Sequence, residues 1–429
     1  MRNALQVAGA LLAATIGQAS AQSDDAIARG EYLARASNCV ACHSVPGGQA
    51  FAGGLKMATP IGAIYVTNIT PDKEHGIGSY SVDDFDKAVR YGVAKDGHRL
   101  YPAMPYPSYS KMTRADVEAM YAFFMNGVPA ASVPNKPSEI PSPLNMRWPL
   151  AIWNVLFVDL DEYEPDAGQS EAWNRGAYLV QGAGHCGACH TPRGLAWNEA
   201  ALDDSDDDFL SGAMLDHWSA SNLRQDNAAG LGRWSQDDIA EYLKTGHNQF
   251  GTAYGTMVEV INNSTQYLTG DDMAAVATYL KSLPGVRSND LDYAYDGATT
   301  EALLDRKLDQ PGALTYVQHC KHCHADNGMG YGTFLPSLAG NTSTLDPDPS
   351  SLINITLNGS GRLVVEGLPD SYRMPPFRVL LNDQQIADVV SFIRSGWGNT
   401  AGKVSAEQVK LVRSETSPAS ERIEILKMK

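Results

Sequence analysis

The chain has 429 residues and a formal net charge of −16 at pH 7, with 33 lysines and arginines against 49 aspartates and glutamates. This acidic balance argues against nucleic acid or an anionic lipid face as a partner, and it favours a neutral or basic protein surface. The length is sufficient for three domains of about 100 to 130 residues each.

The N-terminus has the pattern of a secretory signal peptide. Arg2 is followed by an apolar stretch over 4–16 and by Ala19, Ser20 and Ala21, which form an A-x-A cleavage site. The apolar stretch is shorter than the roughly 20 residues that a membrane-spanning helix needs. We therefore predict a signal peptide over 1–21 and a mature protein in the periplasm.

All six cysteines lie in three copies of the pattern C-x-x-C-H. This is the attachment signature of c-type haem. Two thiols on one helical turn can add to the two vinyl groups of one porphyrin, and the following imidazole can then ligate its iron. A zinc site would need four Cys or His ligands at finger-like spacing, which these motifs lack. The sequence predicts three covalently bound haem c groups. They are attached through Cys39 and Cys42, Cys186 and Cys189, and Cys320 and Cys323, with His43, His190 and His324 as axial ligands.

A helix is predicted before each motif and another at the end of each repeat. The first two motifs follow the pattern R-G-x-Y-L, at 29–33 and 175–179, and the third is looser. Gly30 and Gly176 would let the closing helix cross close to the first helix of the repeat. The closing helices begin at capping pairs. These pairs are Thr113 with Asp116, Thr269 with Asp272, and Asn382 with Gln385.

A middle helix is predicted to begin at Ser81 in the first repeat and at Ser235 in the second, because serine is a favourable N-cap. Tyr80 and Trp234 directly precede these caps and would either donate a hydrogen bond to a haem propionate or fill the core. In the third repeat, the carbonyl of Pro336 would accept a hydrogen bond from Nδ1 of the motif histidine.

No long strand-like alternation competes with these helices, so we predict an all-α fold of three tandem class I cytochrome c domains. The apolar segment 148–158 would pack between the first two domains or dock on a membrane or a catalytic subunit. The predicted domains cover 26–130, 169–285 and 304–400, with linkers over 131–168 and 286–303 and a polar C-terminal tail over 401–429.

The sixth iron ligand decides between electron transfer and catalysis, because an open position would bind a substrate. Each repeat offers one best candidate, a methionine in the loop between its middle helix and its closing helix. Prolines flank Met104 and Met374 and stiffen their loops, whereas Met257 has no flanking proline. We predict Met104, Met257 and Met374 as the sixth ligands. Met57, Met214 and a histidine outside the motifs remain alternatives.

Five stretches are more specific than C-x-x-C-H alone. They are Phe51–Leu55, Thr59–Gly62, Thr67–Asp72, Tyr101–Tyr106 and Gly184–Gly194. Through them, and over nearly its whole mature length, the chain resembles the triheme cytochrome c subunits of membrane-associated bacterial dehydrogenases. That family includes the cytochrome subunits of alcohol, gluconate, fructose and aldehyde dehydrogenases.

The resemblance implies an electron-transfer subunit with no catalytic residue of its own. A catalytic subunit of flavin, quinone or molybdopterin type would oxidise an alcohol, sugar or aldehyde, and the haems would pass the electrons to ubiquinone or a terminal oxidase. It also implies peripheral association with the periplasmic face of the inner membrane, although the tail over 401–429 is polar, so tethering through the partner is the alternative. A free multihaem shuttle and a haem enzyme such as a peroxidase are the rival hypotheses.

Overall fold

The computed structural model describes residues 24–287, 292–369, 371–419 and 428, so the predicted signal peptide lies outside the described residues. The chain divides into two compact units. The first contains the described residues as far as Glu164, together with Met428, and includes the first C-x-x-C-H motif. The second runs from Pro165 to Ile425 and contains the other two motifs. The fold is mostly helical, with 40% helix and 6% strand.

Three short antiparallel hairpins depart from the all-α prediction. Strands of two to four residues are too short to produce an alternation of apolar and polar residues that the sequence would reveal. The hairpins are β1 (Lys56–Thr59) with β2 (Gly62–Tyr65), β3 (Ala213–Leu215) with β4 (Trp218–Ala220), and β5 (His247–Asn248) with β6 (Gly251–Thr252).

The first unit contains six helices among its described residues, and one of them, α2 (Cys39–Cys42), lies within the first motif. The helices are α1 (24–36), α2 (Cys39–Cys42), α3 (Val82–Tyr91), α4 (Tyr106–Tyr109), α5 (Arg114–Asn126) and α6 (Pro149–Phe157).

In this unit α1 crosses α5 at Gly30, as the sequence predicted. A Cβ at Gly30 would overlap the carbonyl oxygen of Ala119, so only glycine permits this approach. Helix α5 begins at the predicted cap, where the Thr113 side chain accepts a hydrogen bond from the N–H of Asp116. Arg29 on α1 donates through Nε to the buried Asp116 carboxylate at 2.7 Å. The N-terminal end of α5 is therefore fixed on α1.

Helix α6 occupies the apolar segment of the first unit and packs on the loop region after Met104. Its one buried residue, Asn154, accepts a hydrogen bond from the Tyr106 hydroxyl at 2.8 Å. Its outer side leaves Val155 83% exposed and Leu156 66% exposed. Among the described residues of the chain, no helix is both long and apolar enough to cross a lipid bilayer.

The second unit contains both remaining motifs and most of the helices that the structure describes. In its first half are α7 (Glu171–Tyr178), a π-helical turn (Leu179–Ala183), α8 (Gly187–His190), α9 (Gln236–Thr245), α10 (Met257–Asn263), a 3-10 turn (Thr265–Tyr267) and α11 (Gly270–Ser282). In its second half are α12 (Ala298–Leu304), α13 (Ala313–His319), α14 (Lys321–His324), α15 (Thr342–Leu345), α16 (Ser350–Asn358), α17 (Asp383–Ser395) and α18 (Ala406–Glu415).

The second repeat reproduces the helix crossing of the first. A Cβ at Gly176 on α7 would overlap the carbonyl oxygen of Ala275 on α11. Arg175 binds Asp272 in α11 through two hydrogen bonds of 2.7 and 2.8 Å, which matches the ion pair in the first unit. The predicted cap at Thr269 is confirmed, because its side chain accepts a hydrogen bond from the Asp272 N–H.

The middle helices α3 and α9 both begin at the predicted serine caps. Ser81 accepts from the N–H of Asp84 at 3.2 Å, and the Asp84 carboxylate accepts from the N–H of Ser81 at 3.0 Å. Ser235 and Asp238 form the same reciprocal pair at 3.1 and 2.8 Å. A capping box of this kind satisfies two otherwise unpaired N–H groups at the helix start.

In the third repeat α13 crosses α17 at Gly312, where a Cβ would overlap the carbonyl oxygen of Asp388. Helix α17 begins at Asn382, which forms the predicted capping box with Gln385. The segment 401–429 contains α18, which buries Val409 and Val412 in the core of this repeat. A helix of the C-terminal segment is therefore part of the packed unit.

Candidate haem attachment sites

The imidazole of each motif is held by a backbone carbonyl. His43 Nδ1 lies 2.7 Å from the Thr67 oxygen, and His190 Nδ1 lies 2.7 Å from the Ser221 oxygen. A carbonyl oxygen only accepts, so Nδ1 carries the proton in each ring, and the lone pair of Nε2 is left to bind a metal ion. His43 and His190 therefore share one tautomer.

The third imidazole is indeed held in the same way, by the carbonyl that the sequence predicted. His324 Nδ1 donates to the Pro336 oxygen at 3.0 Å. Burial lowers the pKa of all three motif histidines below the usual value of 6.5 and keeps the rings neutral at pH 7. A neutral imidazole is the form that ligates iron.

The cysteines of the motifs are on or beside the short helices α2, α8 and α14, and none of the six forms a disulfide. Burial raises the pKa of Cys39, Cys186 and Cys320 to about 12. These thiols are therefore protonated at pH 7, in contrast to the low-pKa thiolates of redox dithiols. Neutral, partly buried sulfur fits thioether attachment to a porphyrin.

A buried donor in the second repeat also fits a haem. Trp234 is 6% exposed, stacks on Phe250 with ring centroids 5.2 Å apart, and packs edge-on against Tyr242. Its Nε1 is buried and has no hydrogen-bond partner. Because an unpaired buried N–H costs about 1 to 3 kcal/mol, an acceptor such as a haem propionate fits this position. The ring fills the core as well, so the two roles predicted for Trp234 are compatible.

The loop of Met104 lies near the first motif. Tyr109, on the short helix after this loop, donates its hydroxyl proton to the Ser37 oxygen at 3.0 Å, close to Cys39. Burial and the neighbouring thiols of the motif raise the pKa of Tyr109 well above its usual value of 10.0. The structure thus places the loop of Met104 and the motif of His43 in one part of the first unit.

The loop of Met374 is similarly close to the third motif. Phe377, in the same loop, lies with its ring centroid 5.9 Å from that of His319, directly before Cys320. Met374 packs against the core cluster that includes Cys320. Met329, only five residues after His324, lies with its sulfur 3.9 Å from the Ser337 hydroxyl.

Met257 was predicted in a loop, but it is the first residue of helix α10, and the residues before it pack beside the second motif. Tyr254 lies with its ring centroid 5.5 Å from that of Trp218 on β4, three residues before the carbonyl that holds His190. The alternatives Met57 and Met214 are on strands β1 and β3, which precede the middle helices α3 and α9, whereas Met257 lies between the middle helix α9 and the closing helix α11.

The carbonyls that hold His43 and His190 were missed in the sequence, although a repeat marks them. Residues 67–72 read T-N-I-T-P-D and residues 221–226 read S-N-L-R-Q-D. In both, the asparagine side chain accepts a hydrogen bond from the backbone N–H two residues later, at 2.9 Å for Asn68 and 2.8 Å for Asn222. The shared asparagine turn was the signal that could have identified both acceptors.

Glu199 is a further residue that sequence reasoning missed. Its side chain is 4% exposed and lies 3.8 Å from Arg193 Nη1. A Cβ at Gly187, inside the second motif, would lie 2.6 Å from Glu199 Oε2. Burial raises the pKa of Glu199 to about 7, and the nearby guanidinium of Arg193 opposes this only in part. The second motif therefore has a carboxyl group that titrates near neutral pH.

We expect Glu199→Gln to reduce the loss of stability between pH 5 and pH 8. The folded protein keeps this proton up to about pH 7, whereas the unfolded chain releases it near 4.5, so stability falls as the pH rises between these values. Between pH 5 and pH 8, the free energy of unfolding of wild type should fall by on the order of 1 to 3 kcal/mol more than that of Glu199→Gln, as measured by urea unfolding of the haem-containing protein. Glu171→Gln, at an exposed position, should behave as wild type, and equal pH dependence of wild type and Glu199→Gln would refute the account.

Comparison with known proteins shows which family the chain resembles. The Cytochrome c family model matches residues 27–127 and 310–397, which contain the first and third motifs. The second repeat lies outside these matches, yet it shows the same helix crossing at Gly176.

The similarity to curated proteins extends over nearly the whole chain. The chain is 51% identical to the gluconate 2-dehydrogenase cytochrome c subunit of Pantoea cypripedii, over 92% of this chain and 91% of that protein. It is 44% identical to the cytochrome c subunit of the quinone alcohol dehydrogenase of Gluconobacter oxydans (strain 621H), over 97% and 88%. It is 39% identical to the fructose dehydrogenase cytochrome subunit of Gluconobacter japonicus, over 90% and 82%. Identity at this level over this length places the chain in the family of cytochrome c subunits of bacterial dehydrogenases.

Proposed function

We propose that this protein is the triheme electron-transfer subunit of a periplasmic dehydrogenase complex. It takes electrons from a catalytic subunit that oxidises an alcohol, a sugar or an aldehyde, and passes them to ubiquinone or a terminal oxidase. The observation that carries this proposal is the common state of the three motif histidines. Each donates its Nδ1 proton to a backbone carbonyl and so keeps Nε2 for iron.

Each repeat would hold one haem c through its own residues. The two cysteines of the motif would form the thioethers, and the histidine would ligate the iron. Bound haem c supplies a one-electron centre that alternates between the ferrous and ferric states. The role of the protein is to fix the ligands, exclude solvent and orient the acceptors of the histidine protons, which are the carbonyls of Thr67, Ser221 and Pro336.

Met104, Met257 and Met374 would close the sixth positions. The contacts of Tyr109 with Ser37 and of Phe377 with His319 support this for the first and third repeats. A thioether is a soft, neutral donor and favours ferrous iron, which raises the reduction potential. An iron with six ligands has no open position for a substrate, so these ligands support electron transfer over peroxidase chemistry.

The arrangement of the second unit supports a relay. Its two motifs belong to one compact unit, which would hold two haems near each other, and electron tunnelling requires that neighbouring haem edges lie close together. The names of the relatives supply the partner class, because those proteins are subunits of gluconate, alcohol and fructose dehydrogenases. The substrate would be recognised by the catalytic subunit.

The test is to purify the complex through a tag on this chain and to add gluconate, ethanol and fructose in turn. We expect a large dehydrogenase subunit to co-purify, one substrate to reduce all three haems, and a ubiquinone analogue to reoxidise them. Purification of this chain without any partner at its natural expression level would favour a free shuttle. A high-spin haem that binds carbon monoxide in the untreated protein would favour a haem enzyme.

A further inference from the structure

A segment of the third repeat packs against the second repeat, beside Met257. This bridging segment covers residues 361–366. Its Leu363 is 3% exposed and forms one apolar cluster with Ala253, Val258 and Ile261 of the second repeat. Met257 packs at the edge of this cluster. A residue of the third repeat therefore completes the core around the first residues of α10.

Two buried amide side chains of the second repeat hold the bridging segment in an extended form. Asn262 donates to the Arg362 oxygen and accepts from the Val364 N–H, both at 2.9 Å. Gln266 donates to the Val364 oxygen at 3.1 Å and accepts from the Glu366 N–H at 3.0 Å. The two amides thus pair with backbone N–H and C=O groups of the bridging segment, as a neighbouring strand would.

The end of α9 is shaped to receive Leu363. Gly246 is the C-terminal cap of α9 and has a φ of +79°, which favours glycine. A Cβ at this position would overlap the side chain of Leu363. The position of the Leu363 side chain therefore depends on a glycine at this helix end, because a larger residue would displace that side chain.

Helix α10 needs this support. It has seven residues, and helices much shorter than about 12 residues are marginal without tertiary packing. Val258 and Ile261, which are on the same helix as Met257, are buried in the cluster with Leu363. A methionine has three flexible torsions, so its position depends on the packing of its backbone and neighbours.

We infer that Leu363 is a positioning residue for the second haem: the third repeat holds the sixth ligand of the second repeat in place. This inference rests on the proposed function, in which Met257 binds the iron of the haem attached at Cys186 and Cys189. Its consequence is that the ligation of the second haem depends on the docking of the third repeat. The potential of one relay centre is thus set in part by the neighbouring repeat.

Other contacts keep the two repeats joined when Leu363 is changed. The Tyr254 hydroxyl lies 2.6 Å from the Ser343 hydroxyl oxygen, and Asn341 donates to the Phe250 oxygen at 2.7 Å. Thr252 donates to the Thr333 oxygen at 3.2 Å. Truncation of Leu363 should therefore loosen α10 without separating the repeats.

The experiment measures the methionine-to-ferric-iron absorption band and the potential of each haem in the full haem-containing chain. Met257→Leu serves as the reference and should abolish the band of one haem. Leu363→Ala should reduce the intensity of that band about twofold or more, and it should lower the reduction potential of that haem only. Leu363→Met, which conserves volume, should restore both readouts. Leu303→Ala, which truncates another buried leucine of the third repeat, should leave the band intact.

The outcomes separate the inference from the function on which it rests. If Met257→Leu removes a band and Leu363→Ala leaves it at the wild-type intensity, the positioning role is wrong and the haem ligand stands. If Met257→Leu changes no band, the ligand assignment fails and the positioning role fails with it. If Leu363→Ala does not fold, Asn262→Ala loosens the same segment without opening a cavity at Leu363. The intensity of the same absorption band in Asn262→Ala then tests the positioning role.

Discussion

Replacing Met374 with histidine should lower the reduction potential of the third haem by on the order of 0.1 V or more, a fraction of the roughly 0.8 V that axial ligands span. A basic imidazole stabilises ferric iron better than a thioether does. Met374 packs on the core that contains Cys320, so the exchange acts within the third repeat. Potentiometric titration followed by absorption should show one haem shifted and the others unchanged.

Met329→His is the matched control for this prediction. Met329 is 49% exposed and in the same repeat, five residues after His324, so its exchange should leave all potentials unchanged. A shift with Met329→His, or none with Met374→His, would overturn the ligand assignment. If the potential fell substantially while quinone reduction kept its wild-type rate, the third haem would be off the main electron path.

Gly176→Ala should destabilise the second unit by about 3 kcal/mol or more, because the new methyl group would force α7 and α11 apart. The added Cβ would overlap the carbonyl oxygen of Ala275, which is helix backbone and cannot rotate away. The separation should also strain the ion pair of Arg175 with Asp272. Urea unfolding of the haem-containing protein, followed by tryptophan fluorescence, measures the change.

Gly270→Ala provides the comparison on the same helix pair. Gly270 is the first residue of α11, and a Cβ there meets no atom within 4 Å, so its exchange should change the free energy of unfolding by less than about 0.5 kcal/mol. Equal effects of the two substitutions would mean that the close helix crossing does not stabilise the repeat.

Local patterns predicted the parts of the fold that depend on neighbouring residues. The caps at Ser81, Thr113 and Asn382 were found because each cap side chain contacts the residue three positions later. The close crossings at Gly30 and Gly176 were found because the same pattern precedes two motifs. The acceptor Pro336 was found because it lies only 12 residues from its histidine.

Contacts between distant parts of the chain escaped the sequence analysis. The acceptors Thr67 and Ser221 lie 24 and 31 residues from their histidines, so no fixed spacing marks them. The bridging segment reads as an ordinary loop, and its partners Asn262 and Gln266 are about 100 residues away. The burial of Glu199 depends on the fold around the second motif, which a single charged residue in the sequence does not reveal.

The mass of the intact mature chain distinguishes three attached haems from fewer. We expect a mass equal to the polypeptide plus three haem groups, with the fragments of the first, second and third motifs each carrying one. A mass with two or fewer haem groups, or a fragment in which Cys186 and Cys189 remain free thiols, would contradict the proposal of a three-haem relay.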